Sequence, residues 1–248
     1  MVTLLAVRLH FYGTKGYVDE SSDAHAGHSA FTVEGGGYRL LCDFGQNRRG
    51  LLQTIRPDAI FVSHAHPDHA WGLEEGTAAP VYASAITHEL TAKFPIEDRI
   101  VLEPGRTVAA GPFRLTAATV LHSVRCPGIG VRLEVEGRTL VYSGDLVSFE
   151  DPEAALDGAE IYVGDGSTLT GSLVRRHSSG ALLGHTTIRA QLGWLAKRGI
   201  GRAVFSHFGS EAIAMGEEAL SEALAKLASE RLPSGEVTAA RDGRTLEL

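Results

Sequence analysis

The chain has 248 residues, enough for one large domain with a substantial core or for two small ones, and its 44% hydrophobic and 21% charged content is ordinary for a soluble globular protein. A formal charge of −7 argues against binding nucleic acid over a broadly basic surface and leaves only a local basic patch for that purpose. Its two cysteines, Cys42 and Cys126, lack Cys-x-x-Cys spacing and so make neither a disulfide framework nor a thiolate zinc site, and no apolar run reaches the length of a membrane span.

Residues 1–11 read as a strand carrying Arg8 and His10 rather than as a signal peptide, so the expected location is the cytoplasm. The turn signal Gly13-Thr14-Lys15-Gly16 follows, then a polar loop with His25 and His28. Residues 31–34 and 38–43, joined by Gly35-Gly36-Gly37, read as a hairpin, and residues 47–55 as a short helix. The apolar run at 58–63 reads as a buried strand that ends in Ser63-His64-Ala65-His66-Pro67-Asp68-His69. Strands are expected at 81–82, 100–102 and 113–119, with a helix at 84–93. A second hairpin, 129–135 and 139–143, turns at Glu136-Gly137 and ends in Gly144-Asp145. A strand at 161–163 ends at Asp165, and Ile188, Leu192 and Leu195 recur at helical spacing. A strand at 203–205 ends in Ser206-His207, and Leu220, Leu224 and Leu227 mark an amphipathic helix over 217–232. That helix packs on its own sheet or, in the alternative, on a second subunit of a homodimer. Hairpin-rich halves supplemented by helices predict two sheets packed face to face with helices outside, an α/β fold of the α+β type. With no repeat and no linker, residues 1–248 read as a single domain.

Three imidazoles and a carboxylate within residues 64–69 are poor core material, because each needs a partner when buried. Neutral imidazole and carboxylate suit Zn²⁺, and also Mn²⁺ or Fe²⁺. Pro67 favours an extended His66 and opens a helix near Asp68. His64 and His66 then project from the strand end while Asp68 and His69 come from the first helical turn, a geometry that serves two adjacent metals. His122, Asp145 and His207 also follow apolar strands, and strand ends on one side of a sheet converge.

The blocks His64-x-His66-x-Asp68-His69, His122, Ser143-Gly144-Asp145 and Ser206-His207-Phe208, in that order over residues 1–210, resemble the metallo-β-lactamase superfamily of hydrolases. The resemblance implies a four-layer αββα sandwich with two divalent metal ions at one edge. His64, His66 and His122 would hold the first, Asp68, His69 and His207 the second, and Asp145 would bridge both. Two crowded dications need an anionic bridge, and a hydroxide held between them is a nucleophile near neutral pH. Seven ligands leave coordination positions open for water and substrate, as catalysis requires.

Gly184-His185-Thr186-Thr187 resembles a motif of ribonuclease Z and of the cyclic-phosphate phosphodiesterase of phosphonate breakdown. In that branch the histidine binds phosphate and serves as general acid, oriented by an acidic residue at the end of the preceding strand; Asp165 matches that position. A carboxylate on the far ring nitrogen favours the imidazolium, which suits a proton donor. Asp68 is expected to hold or deprotonate the attacking water. Gly13-Thr14-Lys15-Gly16 resembles the glycine-rich loop of the branch, and His28 and Ser29 lie where it has a small polar substrate contact. His10 and His88 read as ordinary surface or core histidines.

Two departures limit the resemblance. The segment from His122 to Asp145 is too short for the arm with which ribonuclease Z grips transfer RNA, so transfer RNA is not an expected partner. The cysteine and histidine zinc insertion of the phosphonate-pathway enzyme is absent. The two Arg pairs, Arg48-Arg49 and Arg175-Arg176, read as solvated surface. The expected function is hydrolysis of a small or cyclic phosphodiester, or of a short nucleic-acid end, by a dinuclear, most simply zinc, centre. An ester, lactone or thioester hydrolase with the same metal site is one alternative, although in lactonases and glyoxalase-type thioesterases a Gly-His-Thr motif precedes the bridging aspartate. A non-hydrolytic metal-binding or redox protein is another.

Overall fold

The computed structural model describes residues 7–248, so the part of the first expected strand before Val7 lies outside the described residues. Seven strands form one sheet in the spatial order Thr245–Glu247, Arg8–Gly13, Ala30–Gly35, Tyr38–Cys42, Ala59–Val62, Val81–Ala83, Arg99–Val101. The last four run parallel to one another, and the others pair antiparallel. The second sheet orders Ser148–Phe149, Phe113–Leu121, Gly128–Val135, Arg138–Tyr142, Ile161–Asp165, Arg202–Ser206, Glu236–Ala239, with Thr107–Ala110 paired to Phe113–Leu121. Its half from Arg138–Tyr142 to Glu236–Ala239 is parallel.

The two sheets bury their facing side chains against each other. Leu9 and Phe11 point inward while Arg8 and His10 alternate outward, and Phe31, Val33, Leu40 and Phe61 meet Phe113, Leu115, Val131 and Leu133 across the gap. On the outer face of the second sheet, helices Ile188–Arg198 and Glu217–Arg231 lay Leu192, Leu195, Leu220 and Leu224 over Tyr162 and Phe205. On the outer face of the first sheet, Ile55, Ala70 and Leu73 cover Ile60 and Val62. These are the four αββα layers expected. The apolar stripe of Glu217–Arg231 is buried within this chain. Among the described residues no helix is long and apolar enough to cross a membrane.

Several local expectations change. Residues 47–55 are not one helix: a 3₁₀ turn, Gln46–Arg48, and a single turn, Leu52–Ile55, are separated where Arg49 is extended and Gly50 takes φ +79°. The edge strands Thr107–Ala110, Ser148–Phe149, Glu236–Ala239 and Thr245–Glu247 were not expected, being too short to show an alternating pattern. Helix Pro152–Leu156 was also missed, although Asp151 caps it by accepting from Glu153 and Ala154 N–H and Pro152 opens it. So was Ser210–Met215, which follows the site.

The parallel strands end on one side of the molecule. Ile129 N–H donates to Ser63 O at 3.0 Å, and Tyr142 Oη donates to Asp43 Oδ2 at 2.6 Å, so the ends of the two sheets touch there.

Candidate metal centre

Three ring nitrogens converge first. His66 Nδ1 lies 2.9 Å from His64 Nε2 and 3.2 Å from His122 Nε2. The partners on the far sides of two rings fix their tautomers. His122 Nδ1–H donates to the Gly184 carbonyl at 3.0 Å. Ser63 Oγ donates to Asp43, so it accepts from His64 Nδ1 at 3.0 Å. Both Nε2 lone pairs therefore point at the same spot, and His66 has at most one Nδ1–H to share between them. Burial lowers the pKa of His64, of His66 to about 4, and of His122, so the three imidazoles are neutral, the form that ligates.

A second set sits beside the first. His207 Nε2 is 2.9 Å from Asp68 Oδ2, and His69 Nε2 is 3.6 Å from the same oxygen. His69 Nδ1 donates to Asp43 Oδ2 at 2.7 Å, which turns Nε2 into the cluster. Asp145 faces both sets. Its Oδ2 is 3.7 Å from His64 Nε2 and 3.6 Å from His122 Nε2, while Oδ1 is 3.2 Å from His69 Nε2 and 3.4 Å from His207 Nδ1. His69 Nε2 and Asp145 Oδ1 are buried with no hydrogen-bond partner. Burial alone would lower the pKa of His69, but Asp145, Asp68 and Asp43 hold it well above the ordinary value; His207 is pushed up to about 10 against burial by Asp145 and its other carboxylate neighbours. The carboxylates thus demand positive charge at these nitrogens, and a divalent cation answers that demand as a proton does. The donor chemistry and the two orphaned atoms fit metal in both sets. All seven expected ligands fall into two groupings of donor atoms, His64, His66, His122 and Asp145 in one and Asp68, His69 and His207 in the other, each within 4.8 Å of its fellows.

His185 faces this centre from the start of helix Ile188–Arg198. Its Nδ1 donates to Asp165 Oδ2 at 2.8 Å, and its ring stacks 5.6 Å from His207 and lies 5.0 Å from His122. Burial opposes the imidazolium, yet the charge and hydrogen bond of Asp165 raise the His185 pKa above its ordinary value. Asp165 is itself fixed: Ser167 Oγ donates to Oδ1 at 2.6 Å, and Leu146 N–H donates to Oδ2. His207 Nδ1 donates to Ser167 Oγ at 2.9 Å, freeing Nε2 for Asp68.

The centre lines one side of a cavity of about 560 Å³, whose other walls include Gly16, Tyr17, Leu173 and Glu211. The early glycine motif shapes it. A Cβ at Gly13 would sit 1.9 Å from the His28 carbonyl, and one at Gly16 would sit 2.9 Å from the His207 ring. His207 itself takes φ +58°, an uncommon conformation held by the Phe208 N–H to Thr14 O bond at 2.7 Å.

The structure does not bring His28 and Ser29 into that cavity. His28 is buried with Nδ1 unpartnered and lines a neighbouring cavity of about 690 Å³, which shares Tyr17, Val18 and Ser210 with the first. Ser29 Oγ is buried without a partner. His25 bonds Thr14 Oγ1, His88 Nε2 donates to Ile100 O, and His177 is exposed. Four supporting residues were missed from sequence: Asp43, Ser63, Tyr142 and Ser167. Asp43 did carry a signal, since it follows the apolar Leu40-Leu41-Cys42 in the same way that His122 and Asp145 follow their strands.

A model of the beta-lactamase superfamily domain matches residues 38–208, from the first parallel strand through His207, and the chain belongs to that superfamily. A protein of Deinococcus radiodurans named UPF0173 metal-dependent hydrolase is 29% identical over 164 residues, 58% of this chain and 72% of the relative. The metallo-beta-lactamase fold protein YhfI from Bacillus subtilis superposes with a TM-score of 0.75 at 19% identity, over 98% of this chain and all of that one. A diphosphatase of the PhnP family superposes with a TM-score of 0.73 at 20% identity, over 99% and 98% of the two chains.

Proposed function

We propose that this protein is a dinuclear metal-dependent phosphodiesterase, acting on a small or cyclic phosphodiester or on a nucleic-acid end. The observation that supports two metals is the division of labour within Asp145, with one oxygen toward each donor set. The observation that supports phosphoryl transfer is the Asp165–His185 pair on the cavity wall beside that centre. Zinc suits the imidazole-rich first set, and Mn²⁺ or Fe²⁺ is compatible with the second, richer in carboxylate.

Bound metals supply Lewis-acid polarisation of a phosphoryl oxygen and lower the pKa of a water. The chain does the rest. Asp68 holds and orients the attacking water from the cavity wall. His185, with Nδ1 committed to Asp165, directs its remaining nitrogen into the cavity and gives a proton to the departing oxygen. Asp165 orients that imidazole and favours its protonated form before the reaction begins.

The test is metal content together with bis-p-nitrophenyl phosphate hydrolysis on wild type and His185→Ala side by side. The expected result is two metals per chain in both, with a small loss of kcat on this good leaving group and a loss of about 10²–10⁴-fold on a dinucleotide, whose departing alkoxide needs the proton. Loss of metal in His185→Ala would overturn its role as acid. Hydrolysis of p-nitrophenyl esters or a lactone in preference to the phosphodiester would overturn the substrate class.

A further inference from the structure

Between Asp165 and His185 the chain leaves the sheet as a small hairpin, Arg175–Arg176 paired with Leu182–Leu183, which the proposed reaction does not use. Its base is part of the site. Gly184 N–H donates to His122 O at 2.9 Å and Gly184 O accepts from His122 Nδ1. Leu173, 47% exposed, lines the cavity rim. The two feet of the hairpin touch, since a Cβ at Gly184 would lie 2.2 Å from Leu173 O.

The arm is cationic in a chain of net charge −7. Residues 166–210 contain no aspartate or glutamate, while Arg175, Arg176 and His177 are consecutive and exposed. Among the described residues neither arginine forms an ion pair; Arg176 Nη1 donates only to Gly180 O. Arg175 pairs in register with Leu183, which lies two residues before the proposed acid His185. The other charges near the cavity are mostly acidic: Glu211 lines it, and Asp19 and Glu20 line the adjoining cavity with Arg49, which pairs with Glu74. The hairpin is therefore a place near the site where an anionic extension of a bound substrate meets unpaired positive charge.

Resting on the phosphodiesterase reading, we propose that this hairpin grips a second phosphate, one nucleoside removed from the scissile one. The preferred substrate is then a nucleic-acid-like phosphodiester with a further phosphate, not an isolated diester. Arg175 and Arg176 leave opposite faces of the strand, so one guanidinium meets the phosphate with paired N–H donors while the other adds charge nearby, and their exposure makes the grip sensitive to salt.

The test compares the p-nitrophenyl ester of thymidine 5′-phosphate with the same ester carrying a 3′-phosphate, and reads the ratio of kcat/KM within each protein. Wild type is expected to favour the 3′-phosphorylated ester by about tenfold at low salt, with the preference shrinking as salt rises. The double variant R175E/R176E is expected to lose the preference at unchanged metal content, and R175K/R176K to keep part of it. A wild type with no preference, or a charge-reversed variant that keeps it, overturns the grip. A loss of both substrates alike in R175E/R176E leaves the ratio standing and also overturns it. If wild type hydrolyses neither ester, the phosphodiesterase reading has failed, and the grip falls with it.

Discussion

The two donor sets differ in kind. The first, His64, His66 and His122, is held by a serine hydroxyl and a backbone carbonyl, and burial keeps its rings neutral. The second, Asp68, His69 and His207, is held by the carboxylates of Asp43 and Asp165, the latter through Ser167, and its imidazoles are raised toward the charged form. One set is a nitrogen site ready for a soft-to-borderline cation. The other is a charge-rich site in which an arriving metal must displace a proton. Similar residues, a few ångströms apart, are thereby prepared for different loading steps.

Removing the shared carboxylate gives the largest effect. Asp145→Ala is expected to drop bound metal from two per chain to below one and activity by more than about 10³-fold, measured by elemental analysis and turnover. A retained pair of metals would refute the bridging role. Next comes separation of the sets. Asp68→Ala should leave about one metal per chain, held by the three imidazoles, whereas His66→Ala should empty the first set and spare the second. Loss of both metals in either variant would mean that the sets do not load independently.

Proton release sharpens the contrast. His69 and His207 lie above their ordinary values, with His207 at about 10, so at pH 7 loading the second set expels a proton from each imidazole; its affinity climbs as pH rises toward 10. The first set loads with no such release. In the metal-free protein the same ion pairs contribute stability fully below about pH 6.5, and that contribution is lost as pH rises through the folded values. Titration calorimetry in two buffers of different ionisation enthalpy reads the released protons, and equal release at both sets would remove the distinction. The smallest effect is expected from Tyr142→Phe. It takes one donor from Asp43 and costs about 1–3 kcal/mol, read as a lower denaturation midpoint with metal content preserved.

How much the sequence discloses follows from locality. His64 to His69 sit within one strand-end and helix-start, and His122, Asp145, Asp165 and His207 each cap an apolar run, so all are visible as polar residues where a strand should stop. His185 is visible only through the resemblance of Gly184-His185-Thr186-Thr187 to a known motif, since it lies two residues before Thr187, the cap of helix Ile188–Arg198. Ser63, Tyr142 and Ser167 look ordinary because their roles exist only across elements. His28 and Ser29 sit in a loop without periodicity, and nothing in that stretch tells which cavity a side chain will enter. The edge strands escape for a related reason: at two to four residues their pairing is chosen by the neighbour, not by their own composition.

Asp43 accepts from Ser63 and His69 on one sheet and from Tyr142 on the other, and the first donor set likewise draws His64 and His66 from one sheet and His122 from the other. Neither sheet owns a complete coordination sphere. Metal capture therefore waits until the two sheets have docked, because either sheet alone offers only part of each donor set. The same clasp that closes the sandwich acts as a checkpoint on metallation.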